Sequence, residues 1–354
     1  MGASKPEIPE SQDSSGQSVL PELQGWLREI AADHRLFITA AKGGNRIFEE
    51  FSPDCKPVTG LPQERTLLPV KKVFLPPSEP LFEFSRGGIE APPTPENTVV
   101  FGLHVCELSA DRLLAANMAH DRPDFPYMAR RSQSLMIGVS CRRTSGCFCE
   151  KTGHDHLAPG EYDLFLHLDD PEHPRLAVGS DAGRELAANA PFPVEDPGGD
   201  VIAPAAAAPE RWPLEALPEK MHDSFGAVMW DELATRCLGC GNCTIVCPLC
   251  YCFYTRDETE LDPANGRRLR LWDSCQLLAF ARVAGGHNFR EARSERIWYR
   301  FSHKFMRTWD TFGAAGCSGC GACFHFCPVG IGPRQVIAGV LQVTTNSQDA
   351  GGNP

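Results

Sequence analysis

Sixteen cysteines in 354 residues need an explanation, and their spacing offers one. Cys237-Leu-Gly-Cys240-Gly-Asn-Cys243-Thr-Ile-Val-Cys247-Pro follows the pattern C-x2-C-x2-C-x3-C-P, and Cys317-Ser-Gly-Cys320-Gly-Ala-Cys323-Phe-His-Phe-Cys327-Pro repeats it. Three thiolates set two residues apart let a tight loop wrap three corners of an iron–sulfur cube. Gly239, Gly241, Gly319 and Gly321 supply the backbone freedom such a loop needs, including positive φ. Cys243 and Cys247 stand four apart, so on a helical turn they share a face. Pro248 and Pro328 keep that turn from continuing through an unbroken hydrogen-bond ladder. Structural zinc also uses C-x2-C pairs, but it takes four ligands, commonly from two separated pairs, and has no use for a third cysteine two residues on.

In two-cluster ferredoxins this run gives three cysteines to one cubane and the fourth to the other. The same exchange assigns Cys237, Cys240, Cys243 and Cys327 to one [4Fe–4S] cluster and Cys317, Cys320, Cys323 and Cys247 to a second. The stretch from Cys247 to Cys317 is far longer than in a compact bacterial ferredoxin. With helices expected to fill it, the C-terminal part resembles the α-helical ferredoxin fold of electron-transfer subunits.

A weaker signal lies upstream. Cys106, Cys141, Cys147 and Cys149 sit at or just past the ends of predicted strands, where α/β folds build sites. Four cysteines suffice for a third cubane. The alternative reads Cys106 and Cys141 as buried small hydrophobes, which the polar loop around Cys147-Phe-Cys149 fits poorly. Cys250, Cys252 and Cys275 are left over, with Asp273 beside them. They read as packed thiols and a structural carboxylate around a cluster, or as an alternative ligand or a sulfur-reactive thiol. Cys55 has no partner motif, and His154 and His156 read as loop histidines. Residues 267–307 hold ten Arg or Lys against three acids, a local +7 in a chain of net charge −11. That segment either stabilises electrons on cubanes or docks an acidic partner, or it is a solvated helix face with local ion pairs.

Stretches 98–104, 135–140, 162–168 and 175–178 read as strands, and 109–118 as a helix capped by Ser109 with Asp111 in its first turn. Residues 191–213 form a Pro/Ala/Gly-rich linker; beyond it, 229–234, 276–283 and 296–305 show helical spacing. The expected organisation is α+β: a disordered tail at 1–18, an α/β domain with a cysteine-ligated cluster at 19–205, an α-helical ferredoxin dicluster domain at 206–343, and a tail at 344–354. The acid excess disfavours nucleic acid. No stretch of 18 apolar residues and no apolar signal core occurs, so a cytoplasmic chain with reduced thiols is expected. No nucleotide-binding glycine motif, nucleophile elbow or H-E-x-x-H helix is present, so no active site of its own is expected.

Several ordered motifs carry a family resemblance. They are Lys71-Lys-Val-Phe-Leu-Pro-Pro-Ser-Glu-Pro-Leu-Phe-Glu-Phe84, Phe101-Gly-Leu-His-Val-Cys106-Glu-Leu, Cys147-Phe-Cys149, Arg236-Cys-Leu-Gly-Cys-Gly-Asn-Cys243, Trp272-Asp-Ser-Cys275 and Arg282-Val-Ala-Gly-Gly-His-Asn-Phe-Arg290. Across residues 20–340 the chain resembles the iron–sulfur β-subunit of cytosolic nickel–iron (sulf)hydrogenases and the electron-transfer subunit of anaerobic sulfite reductase. The resemblance implies an electron relay between a flavin subunit that handles NAD(P) and a catalytic module of nickel–iron hydrogenase small and large subunits. FAD, NAD(P) and the nickel–iron site then belong to partner chains. It also implies a third [4Fe–4S] cluster on Cys106, Cys141, Cys147 and Cys149. The chain departs from the family at the first of these, with His104-Val105 before it and Glu107 after it where Arg-Pro and Asp are common. The same motifs fit the relay subunit of an anaerobic sulfite reductase; a redox-sensing iron–sulfur protein is a further alternative.

Overall fold

Leu23, Trp26, Leu27 and Ile30 recur at three- and four-residue spacing along Pro21–Asp33 (α1), and all four are buried. They cover one face of a sheet. The computed structural model describes residues 21–42, 45–52, 65–92, 96–142, 146–170, 172–203 and 211–343. The expected tails at 1–18 and 344–354, the boundary near 205 and Cys55 lie outside the described residues.

The N-terminal part runs α1, β1 (Arg35–Lys42), β2 (Asn45–Glu50), α2 (Lys71–Phe74), β3 (Ser78–Ser85), β4 (Gly88–Glu90), β5 (Thr98–Leu103), α3 (Val105–Ala119), α4 (Phe125–Ser132) and β6 (Ser134–Val139). It continues with β7 (His156–Leu157), β8 (Leu164–His167), β9 (Arg175–Val178), α5 (Asp181–Leu186), β10 (Val194–Glu195) and β11 (Val201–Ile202). Seven strands form one sheet in the order β10-β9-β8-β6-β5-β1-β2. β1, β5, β6 and β8 are parallel neighbours. Such strands are covered on both faces, so they are apolar throughout, and every residue of β5 is buried. Val99, Phe101, Ile137 and Leu166 pack toward the α1 side. Val100, Met136 and Phe165 pack with Leu108 and Leu114 of α3.

The four expected strands are present, two of them beginning a residue or two away from their predicted starts. The expected helix begins earlier. α3 starts at Val105, with His104 as N-cap and Glu107 closing a capping box by accepting from the His104 N–H at 3.0 Å. Ser109 is therefore inside the helix, and its buried hydroxyl meets His154 Nδ1 at 2.6 Å. Cys106 sits in the first turn of α3, directly after a strand. The stretch read as a linker contributes β10 and β11 to the fold.

The C-terminal part runs α6 (Leu217–Asp223), α7 (Val228–Arg236), α8 (Asn242–Ile245), β12 (Phe253–Thr259), β13 (Gly266–Trp272) and α9 (Arg293–Ser302). A π-helical turn, His303–Arg307, continues α9 into α10 (Thr308–Phe312), followed by α11 (Ala322–His325) and α12 (Pro333–Gln342). The gap between the cysteine runs is thus not filled by helices alone. β12 and β13 form a hairpin, and β13 pairs with β3, giving a second sheet in the order β12-β13-β3-β4. The alternation Arg268-Leu-Arg-Leu-Trp272 after the turn residues Asp262-Pro-Ala-Asn-Gly266 has a strand period of two. Residues 276–283 hold a short 3₁₀ turn, Leu278–Ala281, in place of the expected helix. The expected helical stretches 229–234 and 296–305 keep their reading, the first inside α7 and the second along α9 and the π-helical turn.

The two parts are stitched together. Buried Arg270 of β13 donates to Glu79 Oε1 of β3 at 2.6 Å and pairs with Asp124, while Arg130 of α4 pairs with the same Glu79. The Phe148 N–H donates to Gly319 O at 2.8 Å, and Trp212 packs between Phe148 and Phe305.

Gly319 lies at φ +66°, and a Cβ there would overlap the Cys149 backbone. Gly319→Ala should cost about 2–4 kcal/mol of stability in denaturant unfolding, from strain plus overpacking. Gly330 has the same φ of +66° but only the Phe324 ring at 3.7 Å, so Gly330→Ala should lose only about 1–2 kcal/mol. Equal losses would show that the close approach at Gly319 contributes nothing.

Candidate metal centres

The two cysteine runs fold alike. In each, glycines at positive φ turn the chain through the ligand loop: Gly239 at +63°, Gly241 at +82°, Gly319 at +66° and Gly321 at +74°. Each run then enters a four-residue helix, α8 or α11. The helix after the first run ends at Ile245, so Cys243 lies on it and Cys247 just beyond, its N–H bonded to Thr244 O at 3.3 Å. The shared helical face expected for Cys243 and Cys247 is therefore a tightened turn.

Cys237, Cys240, Cys243 and Cys327 line one cavity, walled by Ile297, Phe301, Ile331 and Arg300. Cys317, Cys320, Cys323 and Cys247 form a second group, within electrostatic reach of one another. The groups touch through a small apolar contact of Val246, Ala322 and Cys323 with Cys243 and Cys320 packed against it. Both foursomes expected from the spacing are thus gathered, each taking its fourth cysteine from the other run.

The N-terminal foursome is gathered too. Cys106 faces Cys149 and Cys141, and Cys141 faces Cys147. It abuts the second group, with Cys320 and Cys141 both packed against the core that holds Cys106 and Cys149. Arg65 straddles the boundary, with Nη2 at 3.3 Å from Cys147 Sγ and Nε bonded to Cys320 O. Where the family pattern has arginine before the first cysteine, His104 stands here, and buried Arg46 reaches it from β2. Arg46 Nη1 lies 2.9 Å from His104 Nε2, and Nη2 donates to Gly102 O at 2.6 Å and Thr39 Oγ1 at 3.1 Å.

These sets fit an anionic, sulfur-rich group. Burial pushes the thiols of Cys141, Cys243 and Cys317 up to about 12, so each holds its proton until a metal displaces it. Lys304 is fully buried and donates to Cys247 Sγ at 3.3 Å and Gly316 O at 2.8 Å. Burial opposes its charge, but the sulfur atoms of Cys247 and Cys250 outweigh burial and hold it protonated. Arg300 donates to Cys243 O at 3.1 Å, while its buried Nε and the buried Ser318 hydroxyl have no partner among the described residues. Unsatisfied buried donors beside cysteines are what an iron–sulfur cluster with bridging sulfides would use. Among the described residues, no three His, Cys, Asp or Glu side chains converge as on a single metal ion.

The basic segment 267–307 divides into two uses. Arg267 and Arg268 pair with Glu258 and Asp257 on the hairpin surface, whereas Arg300 and Lys304 are buried against the cysteines. The π-helical turn places Lys304, and such turns often mark functional positions. His154 bridges Ser109 and Ala315 O (2.9 Å), and His156 pairs with Asp200. Cys250, Cys252 and Cys275 line a separate cavity with Lys304, His303 and Tyr299. Sequence reasoning missed the roles of Arg46, Arg65 and Lys71, which the fold brings in from β2, the segment before α2 and α2 itself.

Residues 236–331 match the family described as a 4Fe–4S dicluster domain. The chain is 33% identical to sulfhydrogenase 2 subunit beta of Pyrococcus furiosus over 285 residues, covering 77% of this chain and 83% of the relative. No solved structure matches it. Among the described residues, no helix is long and apolar enough to cross a membrane.

His303 gives a measurable pH dependence. Burial, then Lys304 and Arg307, lower it from 6.5 to about 4, so it is neutral when folded. Between about 4 and 6.5 the unfolded chain binds the extra proton, so stability falls as pH drops through that window, by up to about 3 kcal/mol. Unfolding midpoints from pH 7 to 4.5 should decline less steeply in His303→Gln than in the parent. Parallel declines would exclude this histidine as a source.

Proposed function

The chain belongs to the sulfhydrogenase β-subunit family, and on that premise we propose that it is the electron relay between a partner chain that binds flavin and NAD(P) and a nickel–iron hydrogenase module. The observation that carries the reading is the cavity ringed by Cys237, Cys240, Cys243 and Cys327, four cysteines from two runs far apart in sequence. We assign one [4Fe–4S] cluster to that cavity, a second to Cys317, Cys320, Cys323 and Cys247, and a third to Cys106, Cys141, Cys147 and Cys149. When bound, such a cluster supplies one-electron storage with no bond chemistry on a substrate.

The chain's own residues set the terms of that storage. The three sets lie in series: the second touches the first through Cys323 and Cys243 and the third through Cys320 and Cys106. The first set reaches the surface, with Cys240 exposed and neighbouring Leu238 at 61% exposure. A partner seated there comes close to that set. Lys304, Arg300, Arg65 and Arg46 place positive charge where an added electron would sit, and burial keeps water from screening it.

Iron analysis of the anaerobically purified chain should give about twelve atoms. Cys327→Ser and Cys247→Ser should each lower iron content and visible absorbance, while Cys55→Ser leaves both unchanged. A chain holding zinc in place of iron would sink the reading. Nickel in the purified complex identifies the hydrogenase module, whereas siroheme would transfer the relay to sulfite reduction.

Lys304→Met removes the buried charge on Cys247. It should lower one cluster's midpoint potential by on the order of 50–100 mV, or about 1–2 kcal/mol for one electron, with iron content retained. Unchanged potentials, measured by spectroscopic titration, would show that Lys304 is only structural.

A further inference from the structure

We propose that Cys252 and Cys275 form a reversible dithiol–disulfide couple that exchanges electrons with the cluster assigned to Cys247. The hairpin puts the two thiols together. Cys252 immediately precedes β12, Cys275 follows β13, and the open end between them is closed by the Asp273 N–H on Cys252 O at 2.9 Å. Both side chains line one cavity, and each lies close enough to the other to shift its titration. Sulfur atoms brought together at the mouth of one hairpin need little backbone movement to bond.

The surroundings suit redox chemistry. Both cysteines line the cavity that also contains Lys304 and Cys250. Lys304 touches Cys247 Sγ at 3.3 Å, and the Cys250 N–H donates to Cys247 O at 3.4 Å. The wall of this one cavity thus runs from the pair to two residues in contact with Cys247. Cys252 is half-buried and Cys275 buried. Phe253, at 44% exposure, lines the same cavity, so the space reaches solvent. The hydrogen bond from Cys275 brings the Cys252 thiol down to about 7 against the effect of burial, with Lys71 and Lys304 adding to it. One partner of the pair is therefore a ready thiolate and the other a thiol.

The exchange balances within the chain. With Cys252 as thiolate and Cys275 as thiol, forming the Sγ–Sγ bond releases two electrons and one proton. Two oxidised clusters of this chain take one electron each, and the proton leaves through the cavity. The reverse consumes two electrons and one proton. A relay serving a flavin, which handles electrons in pairs, would then hold a two-electron store beside one-electron carriers.

The proposal rests on reading Cys247 as a cluster ligand, and the test separates the two. The iron-loaded chain is purified anaerobically, oxidised with thionine and digested without reductant. A 252–275 cross-linked peptide is expected in the oxidised sample and absent after reduction by reduced methyl viologen. Coulometric reduction should consume two electrons per chain fewer in Cys275→Ala than in the parent, with equal iron content. Cys252→Ala should match it. Equal electron counts with iron retained, or an oxidised chain without the cross-link, overturns the couple. About four additional iron atoms lost on mutating either cysteine would make them ligands and overturn it as well. A parent chain that lacks iron but still forms the cross-link with diamide would instead count against the cluster assignment.

Discussion

Charge in a dry interior must be met by opposite charge, and that constraint organises this molecule. Burial pushes the thiols of Cys106, Cys141, Cys243, Cys317 and Cys320 up, and buried Lys304, Arg300 and Arg46, with half-buried Arg65, bring positive charge to the cysteine groups. Lys304 and Arg300 come from the long C-terminal helix, Arg46 from a strand of the N-terminal sheet and Arg65 from the segment after it. None of these cations lies next in sequence to the sulfur it faces. The fold brings Lys304 and Arg65 within hydrogen-bond range of a cysteine sulfur, Arg300 onto the Cys243 carbonyl and Arg46 onto His104 near Cys106.

The contact between the two halves follows from the same need. Gly319 and Gly321 lie in a ligand loop, yet their missing side chains make room for the backbone of Cys149 and Gly146 in the other half. Arg65 holds Cys147 with one nitrogen and Cys320 O with another. The interface is thus built from the cysteine-bearing loops themselves. Cluster binding to either loop, as proposed above, would also stabilise the contact, since metal binding adds to folding energy wherever the site exists only in the folded state.

What the sequence revealed tracks what is local. The two cysteine runs, their glycine turns and the apolar strands leading to Cys106 and Cys141 are patterns within a dozen residues, and the structure gathers those cysteines as the spacing implied. The cations were not legible. Arg46 and Arg65 sit far in sequence from the grouped cysteines, and only the pairing of β1 with β2 and β5 carries Arg46 to His104. The helix start at Val105 is hidden because Ser109 is the better cap by residue type, while the capping box between His104 and Glu107 decides it. The hairpin β12–β13 is masked by its density of arginines, although Arg268-Leu-Arg-Leu-Trp272 has the period of a strand.

That hairpin explains why one chain needs both halves. Its strand β13 pairs with β3, so the helical part that carries the two cysteine runs borrows a sheet edge from the α/β part. The buried trio of Arg270, Glu79 and Asp124 fixes the register of that pairing, because a one-residue slip would put the guanidinium on the other face. Register in turn sets where the hairpin's open end lies, and that end carries Cys252 and Cys275 to the wall of the Lys304 cavity. Lys71 completes the arrangement from the N-terminal side. Its ammonium rests over the Trp272 ring at 4.3 Å and donates to the carbonyls of Thr244 and Cys250. A lysine from one half thereby holds the chain immediately around Cys247 in the other. Docking of the halves and placement of the sulfur atoms are consequently one structural event, and a change that loosens the first must disturb the second.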